Sequence, residues 1–150
     1  MKAHTLGSLL VAAQFGSLGA LLVMAVPSLL QQPRQPLVWL ALGLSAWVGL
    51  WALTANRPGN FNIRPTPRTD GKLVAHGPYR WIRHPMYTAV SLFGMACAMA
   101  QASALAWLLW LALSLVLLAK ALLEERWMTA LHPDYGQYQA HTRRFIPFIL

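Results

Sequence analysis

Three stretches of the chain carry no Asp, Glu, Lys or Arg: Leu6 to Leu30, Leu37 to Ala55, and Met86 to Ala119, the last two separated by a polar stretch from Asn56 to Pro85. A helix that crosses a bilayer needs about 20 mainly apolar residues. The first two runs therefore predict one span each. The third is too long for one helix and predicts a hairpin of two short ones turning near Gln101, Ala102 and Ser103, although no Gly or Pro marks that turn. The expected fold is all-α integral membrane: a single domain over 1–150 with spans near 6–30, 37–55, 86–101 and 103–123, or about four transmembrane helices. The N-terminal run exceeds the roughly 7–15-residue core of a signal peptide and reads as a first span. Small residues at helical spacing, Gly16 with Ala20 and Ser45 with Gly49, predict close helix–helix contacts.

Composition agrees with the pattern. Charged residues make up 11% of the chain and hydrophobic ones 57%, too few charges to cover a wetted surface. The net charge of +8 would suggest nucleic acid in a soluble protein. Here the cations flank apolar runs, so membrane orientation accounts for them and no nucleic-acid partner is expected. With an even number of spans, Lys2, the central Arg and Lys residues, Lys120, Arg126, Arg143 and Arg144 share one side, and Arg34 alone lies on the other. That asymmetry predicts both termini in the cytoplasm, in an inner (plasma) membrane. The single cysteine, Cys97, lies in an apolar run and reads as a packing residue.

Chemistry is concentrated in two polar regions. In the central loop, Pro65, Pro67, Pro78 and Pro85 restrict the backbone and predict an ordered, mostly extended segment, with a turn at Gly77-Pro78. Pro85 suits the first turn of a helix, whose open N–H groups favour an anionic group. The aromatics and cations between His76 and Tyr87 can also be read as an interfacial anchor. The second region is Lys120 to Trp127, where Glu124 and Glu125 are two of only four acidic residues. A carboxylate at the edge of an apolar helix is costly unless paired. Either the helix runs on towards Leu131, or the acids face a cation, Lys120 or a ligand. No zinc-protease, P-loop or dinucleotide signature is present, and the histidines lack metal-ligand spacing.

The string LVAHGPYRWIRHPMY, then EERW, then a tail with two tyrosines and Arg-Phe-Ile-Pro, resembles the isoprenylcysteine carboxyl methyltransferase family, membrane enzymes related to phospholipid N-methyltransferases. The resemblance runs from about Asn60 to the C-terminus. It implies S-adenosyl-L-methionine as cofactor, in a cytoplasmic pocket formed by the central loop and the C-terminal segment. It also implies cofactor contacts from Gly71, Lys72, Leu73, Val74, Tyr79, His84, Pro85, Met86, Tyr87 and Glu124, with Glu125 as the alternative to Glu124. A substrate-site arginine of the family falls on Lys120 here, and a lysine lacks its planar fork.

On chemical grounds Glu124 can take the cofactor's ammonium, and Arg83 or the N–H groups near Pro85 its carboxylate. Tyr79, Trp81 and Tyr87 can face the adenine or sulfonium. Methyl transfer needs alignment and exclusion of water rather than a metal. Lys120 and Arg83 are the candidate catalytic residues. Lys120 either serves the acceptor or snorkels to lipid headgroups. The expected partners are membrane lipids and a lipophilic small molecule or lipid as methyl acceptor. Two other readings remain open: a non-enzymatic membrane scaffold or assembly factor, and an NADPH-dependent enzyme of the sterol-reductase type.

The charge asymmetry makes a direct prediction. Reporter fusions at Met1 and Leu150 should both report a cytoplasmic location, and a periplasmic signal from either end would sink the even-span arrangement.

Overall fold

The computed structural model describes residues 3–32, 35–56 and 73–149. The helices are α1 (Ala3–Gln31), α2 (Pro36–Ala55), α3 (Pro85–Gln101), α4 (Ala104–Leu131) and α5 (Tyr135–His141), with a 3-10 turn at Gly77–Arg80 before α3. The protein is all-helical. Three segments are long and apolar enough to cross a membrane: Thr5–Gln31, Pro36–Ala55 and Ala104–Leu131. Helix α3, placed by the sequence as a further short span, has 17 residues. It rises about 26 Å at 1.5 Å per residue, slightly less than the ~30 Å hydrocarbon core.

The helices bury little of themselves in one another. Leu22, Val23, Leu30, Leu37, Trp39, Leu40, Trp47, Leu50, Leu108 and Leu111 all remain exposed. Apolar surface this continuous is untenable in water and is what a helix presents to lipid. The protein is accordingly a membrane protein.

Helix boundaries follow local chemistry. Pro36 and Pro85 open α2 and α3 at positions that need no N–H. The α3–α4 turn occupies Ala102, in the left-handed region at φ 50°, and Ser103, whose hydroxyl accepts from Ala106 N at 3.2 Å as the cap of α4. An alanine in the conformation that usually takes glycine explains why the sequence carries no turn residue there. Helix α4 does run on to Leu131, beyond the expected end near 123.

Interior contacts between α1, α3 and α4 repeat at seven-residue steps. Ser28 Oγ donates to Gln101 Oε1 at 2.7 Å. Leu21 and Leu113, both fully buried, meet over Gly94, where a Cβ would come within 2.7 Å of Leu113 Cδ2 and 3.5 Å of Leu21 Cδ1. Lys120 Nζ donates to Gln14 Oε1 and lies 5.0 Å from the centre of the Tyr87 ring. Seven residues are close to two helical turns, so 14/21/28, 87/94/101 and 113/120 each lie along one stripe. The pairings run α1 parallel to α3 and antiparallel to α4.

Helix α2 packs on the other flank of α3. Ser45 Oγ donates to Ala89 O at 2.8 Å, and a Cβ on Gly49 would stand 3.5 Å from Ala89 Cβ. The Ser45–Gly49 pair thus forms the close contact that its spacing predicts. Gly16 does not: a Cβ there meets nothing within 4 Å, so that face of α1 is turned away from the other helices.

Gly94→Ala should lower stability by about 1–3 kcal/mol, the usual range for overpacking. Gly136→Ala in α5, where a Cβ meets nothing within 4 Å, should be neutral or gain up to about 1 kcal/mol from helix propensity. Thermal unfolding of the two variants in detergent compares them, and equal losses would contradict the notch at Gly94.

Candidate functional site

At the end of the bundle where α3 begins and α4 leaves the apolar layer, three further segments converge. Gly77 has φ +60°, and a Cβ there would fall 2.7 Å from Ala55 Cβ. Glycine is what lets the 3-10 turn rest on the end of α2. His76 before the turn is extended, and Trp81 after it is still in the helical region. After it, the backbone pairs with the C-terminal segment in a single parallel bridge, Ile82 with Arg143. Arg143 N donates to Trp81 O at 2.9 Å, Arg83 N to Arg143 O at 2.7 Å and His84 N to Arg144 O at 3.1 Å. Tyr138 Oη adds a bond to Tyr79 O at 2.7 Å, and Thr88 Oγ1 one to Phe145 O at 2.8 Å.

Glu125 is the electrostatic centre of this junction. Its carboxylate accepts from Arg83 Nε at 2.9 Å, Arg144 Nε at 3.1 Å, Arg144 NH2 at 2.8 Å and His84 Nε2 at 3.2 Å. The Glu125 and Arg83 side chains are 6% and 9% exposed, so the ion pairs are shielded from solvent and held by several charge-assisted bonds. Arg83 also donates from NH1 to Thr142 O at 2.6 Å and Gln139 O at 3.2 Å. The hydrogen bond to Glu125 pushes the Arg144 guanidinium's pKa further up.

Glu124, one residue earlier and about 100° round the helix, faces a different set. Tyr87 Oη donates to Glu124 Oε2 at 2.9 Å. His84 Nδ1 lies 3.8 Å from the same oxygen, and the Glu124 side chain is 34% exposed. The His84 and Tyr87 rings stack with centroids 5.3 Å apart. Lys120, one turn back on α4, is 1% exposed and rests against the Tyr87 ring and Gln14. It does not reach the lipid surface, which removes the snorkelling alternative. Burial pushes the Tyr79 hydroxyl up to about 12, against the pull of its hydrogen bond from the Asn56 side chain and with help from the Glu124 carboxylate. Tyr79 therefore stays neutral across the physiological range.

The structure thus gathers Tyr79, His84, Tyr87, Lys120 and Glu124 into one cluster. Pro85 is buried and Met86 half-buried at the start of α3. Leu73 and Val74 are half-buried and make no hydrogen bond or ring contact with the cluster among the described residues. Gly71 and Lys72 lie outside the described residues. Arg83, expected to meet a ligand carboxylate, is instead engaged by Glu125, Thr142 and Gln139. Sequence reasoning missed Arg144 as a partner of Glu125, Asn56 as the partner of Tyr79 and Gln14 as the partner of Lys120. Gln14 did carry a signal: it is the one carboxamide in the uncharged run from Leu6 to Leu30.

Glu125→Gln should cost about 3–5 kcal/mol, because it leaves the buried Arg83 guanidinium, and the partly buried Arg144 beside it, short of a counter-charge. Glu124→Gln, at a partly exposed site, should cost about 1 kcal/mol or less. Melting temperatures in detergent rank the two, and the reverse order would move the structural role to Glu124.

A profile of the family described as phospholipid methyltransferase matches residues 37–135. That range holds α2 from its second residue, α3, α4 and all five clustered residues. The cobalt-zinc-cadmium resistance protein CzcN of Cupriavidus metallidurans is similar, 32% identical over 82 residues. The similarity covers 53% of this chain, which spans 38% of the length of that relative. No solved structure matches the chain. The profile covers well over half of the sequence, and the chain belongs to the phospholipid methyltransferase family, within the isoprenylcysteine carboxyl methyltransferase-like group of membrane methyltransferases.

Proposed function

We propose that the protein transfers a methyl group from S-adenosyl-L-methionine to a lipophilic small molecule or lipid at the cytoplasmic face of an inner (plasma) membrane. The observation that carries this reading is the division of labour between adjacent glutamates. Glu125 is consumed by the frame, whereas Glu124 is a partly exposed carboxylate oriented by Tyr87 among aromatic rings. A carboxylate so placed fits an amino-acid ammonium, and the Tyr79 and Tyr87 rings fit a sulfonium or an adenine. The N–H groups of Met86 and Tyr87 open α3 behind Pro85 and suit an amino-acid carboxylate. That task passes to them from Arg83, which acts as a positioning residue. By family resemblance, Gly71, Lys72, Leu73 and Val74 complete the cofactor's surroundings.

Bound S-adenosyl-L-methionine supplies an electrophilic methyl carbon on a positively charged sulfur. The chain's own residues do the rest. Glu124 binds and orients. Tyr87 holds Glu124 in one rotamer and stacks on His84, so the carboxylate is fixed before ligand arrives, which limits the entropy lost on binding. The neutral Tyr79 hydroxyl and the apolar flank of α3 exclude water. Lys120, toward the membrane interior, meets an acceptor that enters sideways from the bilayer, where a cation can hold an acidic group or raise the anionic fraction of a nucleophile.

S-adenosylhomocysteine should raise the melting temperature of the purified protein and NADPH should not, since only a ligand of the native state stabilises it. Glu124→Gln should weaken S-adenosylhomocysteine binding by roughly 10- to 150-fold, the worth of one charge-assisted hydrogen bond of about 1.5–3 kcal/mol. Calorimetry on the folded variant reads this directly. Wild-type affinity in Glu124→Gln would place the cofactor's ammonium elsewhere.

A further inference from the structure

The residues after Phe145 are apolar and take no part in the Glu124 cluster. Ile146, Phe148 and Ile149 are 46%, 84% and 77% exposed, so their side chains rest on little of the protein. Ile149 N donates to Ile146 O at 3.2 Å, which closes a four-residue turn with Pro147 second and Phe148 third. Phe148 has φ 67°. The left-handed third position of such a turn ordinarily carries glycine or asparagine, and a bulky side chain there is a steric outlier. The chain thus holds a phenylalanine in a backbone state that glycine would adopt freely, with most of its ring uncovered. What compensates for that strain lies outside the protein.

The course of the segment identifies the partner. From Ile82 through His84 to Thr88 the chain runs from the polar junction into α3, and so towards the apolar layer. Arg143 to Phe145 runs beside it in the same direction. Ile82 bridges Arg143 in parallel, His84 N donates to Arg144 O, and Thr88 Oγ1 donates to Phe145 O. The Phe145 ring stands 6.0 Å from the His84 ring. The turn at 146–149 therefore continues from the junction towards lipid. Arg143, exposed, marks its outer end, and Phe148 and Ile149 its inner end. Cations outside and aromatic or aliphatic groups inside match the headgroup and acyl levels of a leaflet. The backbone suits that place too. An unpaired N–H is costly in a bilayer, but Pro147 has none and that of Ile149 is bonded within the turn.

We propose that Ile146–Ile149 is an interfacial wedge, whose turn seats Phe148 and Ile149 among the acyl chains of the adjacent leaflet. Phe148 is its anchor. The wedge fastens to the bilayer the same segment that carries Arg144 to Glu125. Its partner is the lipid surface, and it does not depend on the methyl-transfer reading above.

Fluorescence from the full chain in vesicles of phosphatidylcholine and phosphatidylglycerol tests this. Cys97 is the single cysteine, so Cys97→Ala gives a background in which one new cysteine carries a dye. The reporters are Phe148→Cys and Ile149→Cys, with Gln137→Cys, exposed in α5, as reference. Ile149→Cys carries the test alone if Phe148→Cys does not fold. Spin-labelled lipid should quench the dyes at 148 and 149 at least about threefold more than the dye at 137. A spin label near the top of the acyl chain should act more strongly than one at its end, since interfacial segments lie about 5–10 Å deep. Iodide in the water should quench in the reverse order. Phe148→Gly suits the left-handed backbone and deletes the anchor, so in that background the dye at 149 should lose about half or more of its lipid quenching. Equal lipid quenching at all three positions overturns the wedge, and undiminished quenching at 149 in Phe148→Gly overturns the role of Phe148. Shielding from iodide without lipid quenching, growing with the amount of protein per lipid, would give the patch to a second copy of the chain and equally ends the proposal.

Discussion

The organisation of the site depends on the Glu125 carboxylate. It sits near the C-terminal end of a 28-residue apolar helix, where an unpaired anion would be too costly to keep. Its partners arrive from segments far apart in sequence: the Arg83 guanidinium and the His84 ring from the run into α3, and the Arg144 guanidinium from the tail. Arg83 then reaches the carbonyl oxygens of Gln139 and Thr142, which fixes the tail beyond α5. The short parallel bridge of Ile82 with Arg143 is too small to persist alone. It persists because the side chains on either side of it converge on one carboxylate. The run into α3 and the tail beyond α5 are thereby fastened to the end of a lipid-exposed bundle.

The bundle meets this junction in a fixed register. Along α1, α3 and α4 the inward positions recur every seven residues, and each layer has its own chemistry. The outer layer is a hydrogen bond between Ser28 and Gln101. The middle one is apolar, Leu21 and Leu113 closing over Gly94. The inner one is the Gln14, Tyr87 and Lys120 group. Water does not drive helices together in a bilayer, so close packing and interhelical hydrogen bonds must. Gly94 permits the close approach, and the polar layers above and below it set how the helices are aligned along their axes. A slide of α1 by one residue would rotate Gln14 away from Lys120 by about 100° and leave a buried ammonium facing Ala13 or Phe15.

The three long apolar helices were legible because an uncharged run long enough to cross a bilayer has few other uses. The helix ends were less so. The α3–α4 turn rests on an alanine in the left-handed region, and α4 extends past its apolar stretch because its acids find partners in other segments, which no local pattern announces. The residues of the Glu124 cluster were legible through their likeness to a known motif rather than through spacing, since Tyr79, Tyr87 and Glu124 meet only after the chain has run out along α3 and back along α4. At Arg83, nothing local reveals that Glu125, 42 positions on, engages the guanidinium. Gly16 did misdirect, for small residues at helical spacing describe a surface but not its partner.

Neighbouring positions on a helix point about 100° apart, so two adjacent acids face largely different contacts, with the His84 ring between them. At Glu124-Glu125 this geometric fact separates architecture from chemistry. Glu125 turns toward the loop and tail, where cations cancel it. Glu124 turns toward Tyr87 and the membrane-side layer, where the phenol holds it through one hydrogen bond and leaves its side chain 34% exposed. One turn earlier, Lys120 is oriented by the Gln14 amide and the Tyr87 ring. The carboxylate of the frame is thus closed off by its own partners, while that of Glu124 stays partly open.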